Sequence, residues 1–358
     1  MTSAPTSRLP GPDVVRAVAM LGVVVMNYHG YLILRGGERP TSGWAHLLDP
    51  WTGPFATRFA ATFVLTAGVG ATLLTRSTRR DHADAVSWLL VRRGVLLVAG
   101  GRVFDWIWPG TILPFYGAMF ITASVLVRLR SRWIVLIGST AAIGAAALRW
   151  WRLDAELAGR DTRWLTDPGP RSPRGLLFDL FVNGTHPLLP WLAFFGAGLV
   201  VGRVLTTSWW RPVAAGAGCV ALVTATIANA VTASSADPVV RTVGSLQPFD
   251  RGLLYTSQTL GIALLAFVGV SWVADRASDS MLVDVLRRAG RMSLTIYLAH
   301  ALVFVAAIDV LGLVEPGGPA TSLVAAIGVW GGATVAAVAY ERRFGRGPAE
   351  RLYRRLTG

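Results

Sequence analysis

Residues 13–34, DVVRAVAMLGVVVMNYHGYLIL, set Asp13 and Arg16 ahead of an apolar run whose polar members, Asn27, Tyr28 and His29, come near its end. At 1.5 Å per residue such a run covers the roughly 30 Å of a bilayer's hydrocarbon core, so it reads as a transmembrane helix. It follows Arg8 and Arg16 as a secretory leader would. It ends, however, in Asn27-Tyr28-His29-Gly30-Tyr31 rather than in a small-residue cleavage site, and reads as a retained signal anchor.

Working outward, similar stretches recur at 54–75, 86–104, 111–129, 132–149, 187–206, 211–233, 252–273, 292–313 and 322–341. The expectation is an all-α integral membrane protein, a bundle of about ten transmembrane helices forming one domain over residues 1–358. Composition agrees: 53% of the 358 residues are hydrophobic and 15% charged, and the mean hydropathy is +0.50. A soluble domain of this length does not tolerate that balance.

The net charge of +14 would suggest nucleic acid in a soluble chain, so its placement decides. All basic residues are arginine, the mark of a GC-rich, bacterial coding sequence. They gather in alternate links: Arg76, Arg79 and Arg80; Arg128 and Arg130; Arg203 and Arg211; Arg276, Arg287, Arg288 and Arg291; and the tail from Arg342 to Arg355. By the positive-inside rule those links and both termini are cytoplasmic, which makes the chain a multi-pass plasma-membrane protein with lipid, not nucleic acid, around it. The other links balance their charge, and Asp309 and Glu315 have no basic neighbour in theirs. The longest outward link, about 150–186, could cap an external pocket, and its end at 174–182 suits a helix lying in the interface. Trp106, Trp108, Trp150, Trp151, Trp209 and Trp210 read as an aromatic belt. Cys219 is the lone cysteine and excludes an internal disulfide. The Asn183-Gly-Thr185 sequon carries no weight in a bacterial chain.

Ionisable groups inside spans are costly and therefore informative. They lie at two levels. Toward the cytoplasm are Asp13, Arg16, Arg92, Arg93 and Arg291; toward the outside are Asn27, His29, His46, Asp49, Arg58, Asp105, His186, Asp250, Arg251 and Asp309. His300 lies deeper, about 14 Å beyond Arg291 along a helix.

The stretch from Asp13 to Tyr28 resembles the first helix of the transmembrane acyltransferase superfamily, which includes heparan-alpha-glucosaminide N-acetyltransferase, and within it the YeiB-like bacterial branch. Four further segments carry the resemblance in order: Trp108-Pro-Gly-Thr111-Ile-Leu; His186-Pro-Leu-Leu-Pro-Trp191 leading to Gly-Ala-Gly-Leu-Val-Val-Gly-Arg203; Gly290-Arg-Met-Ser-Leu-Thr-Ile-Tyr-Leu-Ala-His300; and Gly347-Pro-Ala-Glu-Arg-Leu-Tyr-Arg-Arg-Leu-Thr357. The resemblance implies acetyl-CoA or another acyl-CoA donor supplied from the cytosol, no metal, and a histidine acting at the far face. His46 matches that histidine by position, 22 residues before Gly68, and Asn27 falls where the N-acetyltransferase branch has an asparagine. One departure stands out: Thr111 occupies the place where YeiB-like sequences usually have Asp, so Asp105 would have to supply an outer acid.

The chemistry asks for the same residue types. Acyl transfer from a thioester needs a base near the acceptor proton, and His46 fits, with His29 its rival because it lies nearer Asn27. Asn27 could steady the oxyanion or orient the imidazole. CoA phosphates call for arginine, which makes Arg16, Arg92, Arg93 and Arg291 the candidates at the cytoplasmic mouth. The bland readings are a topology role for Arg92 and Arg93, pairing of Asp13 with Arg16, a helix-capping His186 and a hydrogen-bonded structural His300. The acceptor expected is a cell-envelope glycan or glycolipid, with assembly into a homo-oligomer open. The rival reading is a small-molecule transporter or exporter with His300, Asp309 and Arg58 along its path, and the other is a non-catalytic membrane scaffold.

Overall fold

The computed structural model of the protein describes residues 9–39, 43–76, 83–166 and 172–358. Arg8, Arg79, Arg80 and Asp167, and the side chain of Arg76, lie outside the described residues. The described residues form helices and no strand. The main ones are α1 (Gly11–Ile33), α2 (Arg58–Arg76), α3 (Ala83–Phe104), α4 (Leu113–Leu126), α5 (Ser131–Leu157) and α6 (Leu188–Val204). They continue with α7 (Trp210–Ala233), α8 (Leu253–Arg276), α9 (Met281–Arg291), α10 (Ser293–Phe304), α11 (Pro319–Phe344) and α12 (Pro348–Thr357).

Each of the ten apolar stretches carries a helix, but not every helix is long and apolar enough to cross a membrane. Among the described residues seven are, and eight if the pair Pro173–Asn183 and Leu188–Val204, bent by 57°, counts as one span. α4 has only 14 residues, and α3 carries Asp84, Arg92, Arg93 and Arg102. Boundaries also move. α2 starts at Arg58 rather than 54, and α5 runs on to Leu157, which shortens the longest link. After Phe304 the expected span continues as a π-turn over Val305–Val310.

Most of the helices present aliphatic side chains to the outside. On α7, Val213, Val220, Val223, Ile227 and Val231 are exposed at helical spacing, and α11 exposes Val324, Ile327 and Val335. In water such faces would be a liability, whereas in hydrocarbon they cost nothing. α1 is instead enclosed by α2, α8, α9, α10 and α11, and Met20, Val24, Tyr28 and Leu32 on it form the centre of the core.

Close packing of these helices is set by small residues, because lipid offers no hydrophobic drive between them. A Cβ on Gly68 would lie 2.2 Å from the Phe195 carbonyl oxygen, and one on Gly198 would lie 2.0 Å from that of Leu65, so α2 and α6 touch backbone to backbone.

Contacts between links sort into two sets. Tyr31 reaches Pro109, Thr185 reaches Gly110, Arg35 pairs with Asp309 and Arg58 donates to Leu246 at one end. At the other end Arg203 donates to the carbonyls of Val127 and Leu129, Arg288 pairs with Glu341, and Tyr353 donates to the Arg93 carbonyl. Links before odd- and even-numbered stretches thus meet only their own kind in these pairs, as alternating helix directions require. Asp309, without a basic neighbour in its own link, finds Arg35 from the first one.

Two tryptophans depart from the belt expected of them. Trp108 is buried, with its ring 3.8 Å from Tyr31 and edge-on to His300. Trp210 is buried against Phe267.

Candidate functional site

Two residues on α1 define the axis of the site. Arg16 and Asn27 are eleven residues apart, three helical turns, which sets them roughly 20° apart around the helix and about 16 Å apart along it. Asn27 faces a cavity of about 210 Å³ at the end where Tyr31 reaches Pro109 and Thr185 reaches Gly110, whose other polar walls are Tyr31, Thr57, Thr185, His186 and Tyr297. Phe63 lines this cavity and its ring lies 5.7 Å from that of Tyr116, a buried side chain that interacts electrostatically with Arg16. Phe63 and Tyr116 therefore lie along the interval between the two α1 residues.

Behind Asn27 lies His300, fully buried on α10. The His300 Nδ1 sits on the Tyr297 carbonyl oxygen, which can only accept, so the proton is on Nδ1 and Nε2 carries the lone pair. Asn27 Nδ2 is 3.3 Å from that Nε2 and donates to it. The amide keeps a second N–H for the cavity. Tyr28 donates to the His300 carbonyl at 2.8 Å. His300 is thus a hydrogen-bonded core histidine, outside the cavity lining, and what it orients is Asn27.

His186 belongs to the cavity wall itself, which the helix-cap reading of the sequence did not provide for. The Thr185 hydroxyl donates to the Gly110 carbonyl at 3.2 Å, so its oxygen accepts from His186 Nδ1 at 2.9 Å. That chain places the His186 proton on Nδ1 and leaves the Nε2 lone pair available. Trp191 packs edge-on against the ring at 4.5 Å. Burial, and then the Arg251 guanidinium, lower the His186 pKa to about 3, so the imidazole is neutral. Arg251 also holds the backbone leading to it, donating to the carbonyls of Val182, Asn183 and Gly184 at 2.5–2.6 Å.

Thr111 does not supply an acid, but its hydroxyl lies 3.0 Å from that of Tyr297, and the Ile112 N–H donates to the same tyrosine oxygen at 3.2 Å. Asp105 accepts from the Gly110 N–H at 2.8 Å and closes the turn beneath Tyr31.

The two histidines that sequence favoured lie elsewhere. His29 is two residues from Asn27, about 200° round the helix. It is fully buried, with Nδ1 donating to the Leu48 carbonyl at 2.7 Å, and it does not line the cavity. His46 ends a single helical turn, Gly43–His46, and is also outside the lining. Its link is organised by Asp49, which accepts from Arg39 at 2.7 Å, from the Trp51 and Thr52 amides at 2.9 and 2.7 Å, and from the Thr52 hydroxyl. Burial pushes the Asp49 carboxyl up, but these donors together outweigh it and hold it well below the usual carboxylate range. The result is a fixed Trp51, one wall of the cavity.

The four arginines separate into two groups. Arg16 pairs with Asp13 at 3.5 Å, and Arg291 pairs with Glu341 at 2.7 Å, on helices α1 and α9 that pack together. Arg92 stacks on Trp88, and Arg93 on Tyr353 of α12. Arg58 is buried, with hydrogen bonds to the carbonyls of Ala56 and Leu246 and to Gln258. None of His300, Asp309 and Arg58 lines the cavity. Among the described residues no cluster of metal-ligating side chains is present.

Sequence reading missed Tyr297 and undervalued His186. A signal for Tyr297 was there, since it precedes His300 by three residues and so shares its helix face. His186 headed the segment His186-Pro-Leu-Leu-Pro-Trp191, but nothing local separated a cavity wall from a helix cap.

A comparison with curated proteins returns no match. Residues 191–358, which carry Tyr297 and His300 but not Asn27 or His186, match the family model described as a protein of unknown function (DUF418), a YeiB-like family.

Proposed function

We propose that this chain is an acyl-CoA-dependent membrane acyltransferase with ten crossings and both termini in the cytoplasm of a bacterial cell. In this reading an acyl group, acetyl in the first instance, passes from cytosolic acyl-CoA to a hydroxyl or amine of a cell-envelope sugar or glycolipid at the outer face. The observation that carries it is the α1 face with Arg16 at one end and, at the other, Asn27 held by His300 at the wall of a cavity. The arginine-rich ends favour the cytoplasmic assignment of the termini.

Transfer forms a bond between the acceptor heteroatom and the acyl carbon, breaks the carbon–sulfur bond and releases CoA thiol, which takes the acceptor's proton. His186 is the base in this scheme, because its Nε2 lone pair is available and its neutral form persists at every working pH; its low pKa limits its strength. Asn27 and Tyr297 supply donors for the developing oxyanion. Arg16 and Arg291 are the candidates for the CoA phosphates, and both would exchange a carboxylate partner for phosphate.

The test is acetyl transfer from labelled acetyl-CoA by the purified protein in nanodiscs, with envelope glycolipid extract as acceptor. His186→Gln and Asn27→Ala should each lower kcat about 100-fold. Absence of acyl-CoA binding, or unchanged turnover in both variants, would sink the proposal. The 57° bend beside His186 favours one second reading, since transporters place interrupted helices at their binding sites. Acceptor flux into liposomes without acylation would support it instead.

A further inference from the structure

Beside the first cavity is a second, of about 320 Å³, lined by Arg149 and Arg152 of α5, by Asp250 and Arg251 in the link before α8, and by Val182 and Leu189. Phe249 lines both cavities, so the two are neighbours at the same end of the bundle. Three guanidiniums therefore share a small volume with one carboxylate. Arg149 donates to Asp250 at 3.2 Å, and Arg251 is committed to the carbonyls of the 182–184 backbone. Among the described residues Arg152 has only Glu156 as an ion-pair partner, at 3.8 Å. The Nε atoms of Arg149 and Arg152 are buried and lack a hydrogen-bond partner among the described residues.

The crowding has an electrostatic signature. Burial first, and then repulsion from Arg152 and Arg149, lower the Arg251 pKa to about 10, despite the opposing pull of Tyr255 and Asp179. A structural ion pair would need Arg149 and Asp250 alone. Gathering two more guanidiniums around that pair costs free energy that a bound anion returns, and the forked guanidinium donors of Arg149 and Arg152 that line the cavity suit a tetrahedral oxyanion.

We infer that this second cavity is a phosphate-binding subsite, which takes the phosphate of the acceptor while the acceptor's nucleophile lies in the first cavity. The acceptor is then a phosphate-bearing molecule, either a lipid with a phosphate headgroup or a water-soluble phosphate ester. Its role as acceptor rests on the acyl-transfer reading, but the binding does not, so the two fail separately.

The experiment uses the full chain in a maltoside detergent without any acyl donor. Inorganic phosphate is titrated against chloride at equal ionic strength by calorimetry, and in a second arm phosphatidic acid is compared with diacylglycerol by thermal unfolding. Saturable binding of inorganic phosphate identifies an aqueous ester as the source, and stabilisation by phosphatidic acid alone identifies a lipid. Arg152→Gln should weaken the responding ligand about tenfold or more. Arg160→Gln, in an exposed pair with Asp154 outside the cavity, should leave it unchanged. Arg152→Lys, which keeps the charge but not the fork, should fall between and guards against misfolding of the glutamine variant. The inference is overturned if neither ligand gives a saturable response beyond its control, or if the Arg152 and Arg160 variants respond alike.

Discussion

Asn27 and His300, 273 residues apart in the chain, meet inside the bundle with Nδ2 3.3 Å from Nε2. The pair ties the first helix to the tenth, and its polarity is set by the Tyr297 carbonyl, which obliges His300 to accept from Asn27. An amide so held keeps its free N–H aimed, an advantage that a flexible side chain would lose.

Replacing His300 by Leu strands the Asn27 N–H that donates to it, while the Tyr297 carbonyl keeps its place in the helix ladder. The loss should be about 1–3 kcal/mol, read as a lower unfolding temperature in detergent. Adding Asn27→Leu removes the stranded amide, so the double variant should recover part of that stability. A double variant less stable than the sum of the singles would contradict the pairing.

His186 provides the pH test. The unfolded chain protonates this imidazole near 6.5, whereas the native pKa is about 3. Between those values the unfolded state binds more protons, so the contribution to stability is present above about 6.5 and is lost as pH falls toward 3. The gap in unfolding temperature between the native chain and His186→Gln should therefore change steadily across that window and be flat from pH 7 to 8. Turnover should show no histidine ionisation between pH 6 and 8 that His186→Gln abolishes; finding one would contradict its neutral state.

Gly198 tests the α2–α6 contact. A leucine there has no room against the Leu65 carbonyl, so the helices must part, at a cost of about 1–3 kcal/mol or more. Because α2 carries Phe59 and Phe63 into the first cavity, Gly198→Leu should also lower acyl transfer, while Gly328→Leu, where a Cβ meets open space, should do neither.

Glu350 on α12 caps the start of α10 from outside it, accepting from the Leu294 and Thr295 amides at 2.8 and 3.1 Å and from the Thr295 hydroxyl at 2.5 Å. Glu350→Ala should cost about 1–2 kcal/mol and free α12, seen as faster proteolysis after residue 344. Glu350→Gln retains the acceptor oxygen and should lose less.

The segment Gly347-Pro-Ala-Glu350 was legible as part of a resemblance, yet its purpose was not, because the groups it satisfies lie more than fifty residues away in α10. Apolar length likewise announced α1, α5, α7, α8 and α11 without help. It could not announce that α4 would stop after 14 residues or that Asp309 would pair with Arg35.

The sequence by itself determined that this is a helical protein for a membrane, with arginines gathered in alternate links, since hydropathy and charge are summed along consecutive residues. Only the tertiary structure decided which histidine meets Asn27 and which lines the cavity. That choice depends on how far helices approach and turn against one another, through contacts such as Gly68 with Gly198 and Arg251 with the 182–184 carbonyls. Such contacts join residues that no local pattern relates.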